Sequence, residues 1–263
     1  MISPSCYYKS ECRERKKNER NFMIIELVKR ERQIHPRMGC RKILSNIQIK
    51  LDEAGISIGR DAFFDLMRAN SMHIEKKKRF SKTTYSNHGY AISPNRIKDL
   101  EVVRPNQVFV SDITYIRTVS GFAYLFLVTD LYSRKIVGWS VRPDLSHKGA
   151  MDALNMAIEN LESCRGLIHH TDRGSQYCCH NFLKEFGGKG IAFSNTDDSH
   201  VYQNAVAERI NGILKDEYHL DSIFNNIEHV RRTLKQVVFA YNNLRPHLSL
   251  KYNNPGSVYR EVA

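Results

Sequence analysis

Apolar residues in the first third of the chain recur at helical spacing in three separate stretches, residues 22–28, 43–51 and 63–67. Such spacing places the apolar side chains on one face of an amphipathic helix. The polar sides carry the basic residues Arg37, Arg41, Lys42, Arg60 and Arg68. The pattern predicts a small all-α, helix-turn-helix-like DNA-binding region over residues 1–73, with a helical bundle that has no DNA role as the alternative.

The pattern changes to that of β-strands at residue 105. Residues that favour strands alternate over 107–117, 122–130 and 135–141, and short turn sequences separate the three runs, which predicts an antiparallel meander. Helical spacing then alternates with short apolar runs. The predicted helices cover residues 147–162, 178–187, 203–219 and 227–243, and the predicted strands cover residues 167–171 and 191–194.

This succession of elements predicts the ribonuclease H-like α/β fold. The length of the chain allows one catalytic domain of about 150 residues in addition to the smaller helical region. We place this domain at residues 105–263. In such a fold the first strand is central, and the strand after the first helix pairs beside it. Trp139, in the third strand, is expected to belong to the core.

Charge is divided unevenly along the chain. The net charge of +12 and the isoelectric point near 9.4 indicate a polyanionic partner. Residues 1–104 contain 23 Lys and Arg against 12 Asp and Glu, whereas residues 105–263 contain 17 against 16. The strongly basic first part is therefore typical of a region that binds nucleic acid, and the nearly neutral second part is typical of a catalytic domain.

Residues 74–104 are predicted to form a basic linker, because apolar residues are few there. A flexible basic segment can contact phosphates without reading the base sequence, and a solubilising hinge is the equal alternative. The basic run of this segment consists of Lys76, Lys77, Lys78 and Arg79.

No apolar run approaches the ~20 residues that a membrane span needs, and no signal peptide pattern opens the chain. We therefore expect a soluble cytosolic protein without a membrane partner. The six cysteines form no Cys-x-x-Cys pair, so they support neither a disulfide framework nor a zinc ribbon. The His and Cys residues between 169 and 180 have spacings that fit no standard zinc site.

Three carboxylates lie at positions where the predicted strands and helices would bring them together. Asp172 ends the apolar run 167–171, Asp112 lies in the first predicted strand, and Glu208 lies in the predicted helix 203–219. The predicted fold brings both aspartates to one edge of the sheet, which the Glu208 helix crosses. Mg²⁺ prefers carboxylate oxygens, and two such ions about 4 Å apart can promote in-line displacement at a phosphodiester. We therefore predict a site for two Mg²⁺ ions, for which Mn²⁺ substitutes.

This set of carboxylates, with thirty-five residues between Asp172 and Glu208, resembles the catalytic triad of the DDE transposases and retroviral integrases. Within that superfamily the chain looks most like insertion-sequence transposases made from two overlapping reading frames, as the product of the second frame. The stretch 37–43 resembles the small helical domain that precedes the family's catalytic core. The stretch 241–250 is similar to the family's closing motif.

The resemblance implies metal-dependent DNA 3′-end cleavage and strand transfer in the bacterial cytosol, in association with the nucleoid. It implies that Lys215, seven residues after Glu208, contacts DNA. It also implies assembly as a homo-oligomer on double-stranded DNA. An upstream-frame protein, joined by ribosomal frameshifting, would then supply the recognition of the terminal repeats.

Some positions depart from the family's pattern or leave alternatives open. Phe109 replaces a Trp that many relatives carry, and Gln203 replaces an Asp, which weakens any metal-binding role at position 203.

We favour a bracing role over DNA contact for Arg245 and His247. We favour a core role for His170 over the orientation of a metal ligand.

Two other functions remain possible from the sequence. One is a nuclease on the same fold that cuts DNA without joining it. The other is a non-catalytic DNA-binding remnant, or a regulator of transposition.

Overall fold

The computed structural model describes residues 4–74, 90, 92–197 and 204–262, and the chain divides into two compact units, residues 1–77 and 78–263. The described part of the first unit contains the helices α1 (Pro4–Ile34), α2 (Cys40–Glu53) and α3 (Arg60–Ala69). Their apolar faces share one buried core, to which Val28, Ile47 and Phe63 belong. The three amphipathic helices that the sequence predicts are therefore confirmed.

The first helix is much longer than its apolar pattern predicts. It spans 31 residues, and residues 6–19 are exposed on every side. Apolar periodicity reports only the part of a helix that packs against something, so the polar first half gave no signal. The interpretation of three short helices is wrong for this element.

The second unit is built on a five-stranded sheet with the order β3-β2-β1-β4-β5. β1 pairs antiparallel with β2 and parallel with β4, so the meander and the central first strand are confirmed. The strands are β1 (Val108–Thr118), β2 (Gly121–Asp130), β3 (Ile136–Arg142), β4 (Ile168–Thr171) and β5 (Ala192–Asn195).

Helices cover both faces of the sheet, and each face has its own apolar core. Phe109, Phe126 and Leu154 belong to one core, and Leu127, Ile213 and Leu234 belong to the other, against which the partly buried Trp139 packs. The first core involves α4 (His147–Ile158), α5 (Ser175–Cys178) and α6 (His180–Gly188), and the second involves α7 (Ala205–Glu217) and α8 (Ile227–Asn243).

Glycine sets the distance between α4 and β3. A Cβ atom on Gly138 would overlap the carbonyl oxygen of Ala153, a backbone atom of α4 that cannot swing away. The helix can therefore lie directly on the strand only because position 138 has no side chain. This close approach fixes one of the two layers that bury the sheet.

Residues 92–104 belong to the second unit and pack against its sheet, although the sequence predicts a linker there. The Ser93 amide donates to Asn195 Oδ1 across 2.9 Å, and the Arg96 amide donates to Ser194 Oγ across 2.9 Å. Ile97, Leu100 and Val102 pack beside the start of β1. The sequence also gave no sign of the last helix, α9 (Pro255–Val262).

No helix in the described part of the chain combines the length and the apolar character that crossing a bilayer requires.

Candidate active site

Two aspartates leave neighbouring parallel strands at the same level of the sheet. In the pairing of β1 with β4, Ser111 lies opposite Thr171, so Asp112 and Asp172 occupy the next position on each strand path. Neighbouring strands lie about 4.8 Å apart, which brings the two side chains close together. The sequence prediction that these aspartates meet at one edge is therefore consistent with the register.

The polar face of α7 lies over this edge. Asn204 Nδ2 donates to the carbonyl oxygen of Ser111 across 2.9 Å, and Asn211 Nδ2 donates to Asp112 Oδ2 across 2.8 Å. Glu208 and Lys215 occupy the same face, because spacings of three and four residues repeat along one side of a helix. The helix thus presents one acid, one base and two amides toward β1.

Burial and like charge make Asp112 a weak acid. Burial, followed by repulsion from Asp172, raises the pKa of Asp112 to about 7, and Glu208 adds to the rise. The hydrogen bonds from Asn211 and from the Ile113 amide oppose this shift. Burial also lowers the pKa of Lys215, while the Asp112 carboxylate acts in the opposite direction.

Glu208 differs from the two aspartates in its surroundings. It lies in the first turn of α7, and its side chain is exposed. Within the ranges that the structure describes, no three His, Cys, Asp or Glu side chains are grouped closely enough to hold a metal ion. The described geometry therefore brings Asp112 and Asp172 together, with Glu208 as a nearby third acid.

The turn after β4 fixes the position of Asp172. The Gly174 amide donates to Asp172 Oδ1 across 3.0 Å, and Asn195 Nδ2 donates to the Asp172 carbonyl oxygen across 3.1 Å. A Cβ atom on Gly174 would lie only 3.0 Å from Asp172 Oδ1. The Asp-Arg-Gly sequence thus forms a tight turn that holds the carboxylate at the strand end.

The sequence matches models of the integrase core domain over residues 102–199 and 189–255. It is 33% identical over 217 residues to the insertion element IS600 uncharacterized 31 kDa protein of Shigella sonnei, a match that covers 82% of this chain and 79% of that protein. It is 34% identical over 174 residues to the transposase InsF for insertion sequence IS3A of Escherichia coli (strain K12), with 62% and 60% covered. The chain belongs to the insertion-sequence transposases with an integrase core domain.

A solved structure shares the fold of the second unit. A chain in the cryo-EM structure of the simian T-cell lymphotropic virus intasome in complex with PP2A regulatory subunit B56 gamma aligns with a TM-score of 0.51 at 19% identity, covering 66% of this chain and 60% of that chain. The predicted ribonuclease H-like fold is thereby confirmed. The transposase is an enzyme of the polynucleotidyl transferase class, as the sequence predicts.

Tyr177 is a residue of this transposase site that sequence reasoning missed. Its ring lies edge-on to His169 and to Phe182, with centroids 5.8 Å apart in each case. Its hydroxyl is buried and has no hydrogen-bond partner among the residues that the structure describes. Burial, with contributions from Asp172 and Asp112, raises the Tyr177 pKa well above its usual value. The only sequence signal was a polar aromatic residue five positions after Asp172.

His169 links the two central strands behind the aspartates. Its Nε2 atom lies 2.7 Å from Ser111 Oγ in a buried hydrogen bond. Burial, followed by the neighbouring His170, lowers the pKa of His169 to about 3, so the ring is neutral at physiological pH. His169 is therefore a neutral brace between β1 and β4.

Residues predicted to contact DNA fall into three groups. Lys215 lies beside Asp112 in the candidate site. In the first unit, Arg41 is exposed, Lys42 is half-buried, and Arg60 is exposed and pairs with Asp61 across 2.9 Å. The basic run from Lys76 to Arg79 lies outside the described residues.

The closing motif and His170 are structural in the described chain. Arg245 is 1% exposed, and its Nε and Nη2 atoms donate to the two oxygens of the Glu217 carboxylate, each across 2.8 Å. His247 is buried edge-on to Tyr241, with centroids 5.1 Å apart. His170 is buried, and its Nδ1 lies 2.9 Å from Ser194 Oγ. These contacts agree with a bracing role for Arg245 and His247 and with a core position for His170.

Proposed function

We propose that this transposase cleaves DNA at 3′ ends and transfers the freed strand to target DNA, using Asp112, Asp172 and Glu208. The observation that carries the proposal is the register of β1 and β4, which brings Asp112 and Asp172 to one level under the polar face of α7. Glu208 on that face completes the acidic set when a cation is present.

The residues fit hard divalent cations. The three side chains offer carboxylate oxygens, the ligand type that Mg²⁺ and Mn²⁺ prefer. Burial, followed by repulsion from Asp172, raises the pKa of Asp112, and a bound cation would favour its charged form. When bound, two Mg²⁺ ions, or Mn²⁺ in their place, would polarise the phosphodiester and stabilise the charge that develops on its oxygens.

The other groups of α7 position the reaction. Asn211 holds the Asp112 carboxylate in one orientation through its Nδ2 donor, and Asn204 ties the start of the helix to β1. Lys215 supplies a cation beside Asp112, where it attracts a DNA phosphate. We assign Arg41, Lys42, Arg60 and the run Lys76, Lys77, Lys78 and Arg79 to phosphate contacts along the bound DNA.

A junction assay in cells tests this function. The gene would be expressed with its upstream frame and its flanking DNA, and amplification across abutted element ends would detect excised junctions. We expect junctions with the native chain and none with Asp112→Asn at equal protein level. Junctions with both chains would overturn the role of Asp112, and none with either would favour the regulator or remnant.

We further infer that the transposase acts in the bacterial cytosol as a homo-oligomer on double-stranded DNA, and that an upstream-frame protein recognises the terminal repeats. Its relationship to insertion-sequence proteins supports this inference. Light scattering of the native chain with paired DNA ends, with and without the upstream-frame product, tests it. A monomer that binds terminal repeats alone would overturn it.

A further inference from the structure

β1 and β2 continue well beyond the end of β4. β4 pairs with β1 only from Val108 to Ser111, whereas β1 and β2 stay paired as far as Thr118 and Gly121. On the edge of β1 that faces away from β2, no described strand therefore lies between Asp112 and the isolated bridge from Thr118 to Phe224. This two-stranded extension starts at the candidate active site.

The extension carries two aromatic rings that the protein does not bury. Tyr115 is 42% exposed and Phe122 is 53% exposed, and their rings meet edge to face with centroids 5.5 Å apart. We call Tyr115 and Phe122 the aromatic platform. Apolar rings left in water gain free energy when another flat apolar surface covers them.

Positive charge surrounds the aromatic platform. Lys215 Nζ lies 4.7 Å from the centroid of the Tyr115 ring, a cation–π distance. Arg117 is exposed two residues further along β1, directly opposite Phe122, and donates to the Asp221 carbonyl oxygen across 2.9 Å. Exposed aromatic rings between basic side chains are typical of surfaces that bind single-stranded nucleic acid.

The distance from the aromatic platform to the aspartates limits what can bind. Tyr115 is three residues after Asp112 on an extended strand, a separation of about 10 Å along the strand. Because side chains alternate along a strand, Asp112 and Tyr115 point to opposite faces of the sheet, so the DNA end would pass around the edge of β1 that faces away from β2, where Lys215 Nζ reaches the Tyr115 ring. One strand of DNA advances about 3.4 Å per stacked nucleotide, so about 10 Å corresponds to one to three nucleotides. Bases inside a duplex already stack on both faces, so only an unpaired or terminal base has a free face for these rings.

We propose that Tyr115 and Phe122 form a stacking platform for an unpaired base at the DNA end, a few nucleotides from the phosphate that reacts at Asp112 and Asp172, with Lys215 and Arg117 on the adjoining phosphates. This inference rests on the proposed function, because it takes DNA ends as the substrate. It adds that the transposase binds a frayed end in preference to a fully paired one.

Two duplexes with equal numbers of phosphates test the platform. One is fully paired, and the other has about three terminal base pairs replaced by mismatches and carries 2-aminopurine there. Binding to the full-length chain would be measured by fluorescence anisotropy in EDTA, so that the DNA stays intact. We expect the frayed duplex to bind about 5- to 100-fold more tightly, with quenching of 2-aminopurine.

Separate Tyr115→Leu and Phe122→Leu variants should lose this preference while binding the paired duplex within about twofold of the native chain. Phe239→Leu is the matched control, because Phe239 is 60% exposed on α8 and should keep the preference. Circular dichroism checks the fold of each variant, and either platform variant alone suffices for the test.

Three results would overturn the platform. The native chain could bind both duplexes equally, or both platform variants could keep the native preference. The platform variants could instead abolish self-association and leave the preference intact, which would assign the rings to a contact between copies.

A strand-transfer assay with the native chain distinguishes failure of the platform proposal from failure of the proposed function. Joining without end preference contradicts the platform alone, whereas absence of joining contradicts the proposed function.

Discussion

Asn211 donates a hydrogen bond from Nδ2 to Asp112 Oδ2 across 2.8 Å, and this bond joins the α7 helix to the central strand of the sheet. A hydrogen bond to an ionised group stabilises the charged form of that group. Asn211 therefore keeps the Asp112 carboxylate oriented and more acidic than burial alone would leave it. The α7 helix therefore contributes Asn211 to the site in addition to Glu208.

Replacing Asn211 with Ala should weaken both the site and the fold. Loss of a bond to a charged group costs about 1–3 kcal/mol in the free energy of unfolding. The Asp112 pKa in the metal-free protein should rise further, which extends to higher pH the loss of unfolding free energy that accompanies ionisation of Asp112, measured in EDTA. Asn243→Ala, which removes a donor to the exposed Phe239 carbonyl, is the control and should leave the pH profile of the unfolding free energy unchanged. An unshifted profile for Asn211→Ala would contradict this role.

Asp112→Asn should stabilise the metal-free protein at alkaline pH. The folded pKa of about 7 exceeds the ordinary Asp value near 3.9, so Asp112 costs stability as pH rises from about 4 to 7. Asn removes that cost, and above pH 7 we expect a gain of about 1–3 kcal/mol in the free energy of unfolding. The gain should vanish near pH 4. Thermal melts in EDTA measure it, and a gain independent of pH would be the contrary result.

Tyr177→Phe should not destabilise the metal-free transposase. The hydroxyl is buried, and no described residue bonds to it; a buried group left unpaired costs about 1–3 kcal/mol. Removing it while the ring contacts with His169 and Phe182 remain should keep or raise Tm. Tyr177→Leu, which loses the ring contacts, should lower Tm. A Tm drop of several degrees for Tyr177→Phe would mean that the hydroxyl has a partner.

Breaking the buried pair between Arg245 and Glu217 should be costly. Arg245→Met leaves the Glu217 carboxylate without its two donors, which costs about 3–5 kcal/mol. Lys189→Met is the control, because the pair of Lys189 with Glu185 is partly exposed and contributes less than about 1 kcal/mol. Urea unfolding compares the two variants. Equal losses for both would contradict a bracing role for Arg245.

The sequence predicted the features that follow from periodicity. Strand alternation around Asp112 and the apolar run before Asp172 placed both aspartates on adjacent strands, because the order of elements restricts which strands can pair. The predicted helix 203–219 carried Glu208 across the sheet edge at which the two aspartates meet. Such features depend on local pattern and chain order, both of which are visible in a sequence.

Features that depend on tertiary contact were not visible. The exposed first half of α1 has no apolar period, and residues 92–104 pack through backbone amides of Ser93 and Arg96 that carry no sequence signature. The buried hydroxyl of Tyr177 and the pKa of Asp112 result from neighbours distant in the chain. Tertiary packing decides whether a single polar atom is buried, and the pattern of residues along the sequence does not reveal it.

The most direct test of the account compares strand transfer by purified Asp112→Asn, Asp172→Asn and Glu208→Gln with that of Glu159→Gln, a control at an exposed carboxylate. The measurement is the yield of joined DNA in Mg²⁺ and in Mn²⁺, with circular dichroism to check folding. We predict at least about a 1,000-fold loss for each of the three variants and no loss for the control. Near-native joining by any folded variant of Asp112, Asp172 or Glu208 would contradict the assignment of the three carboxylates to one catalytic site.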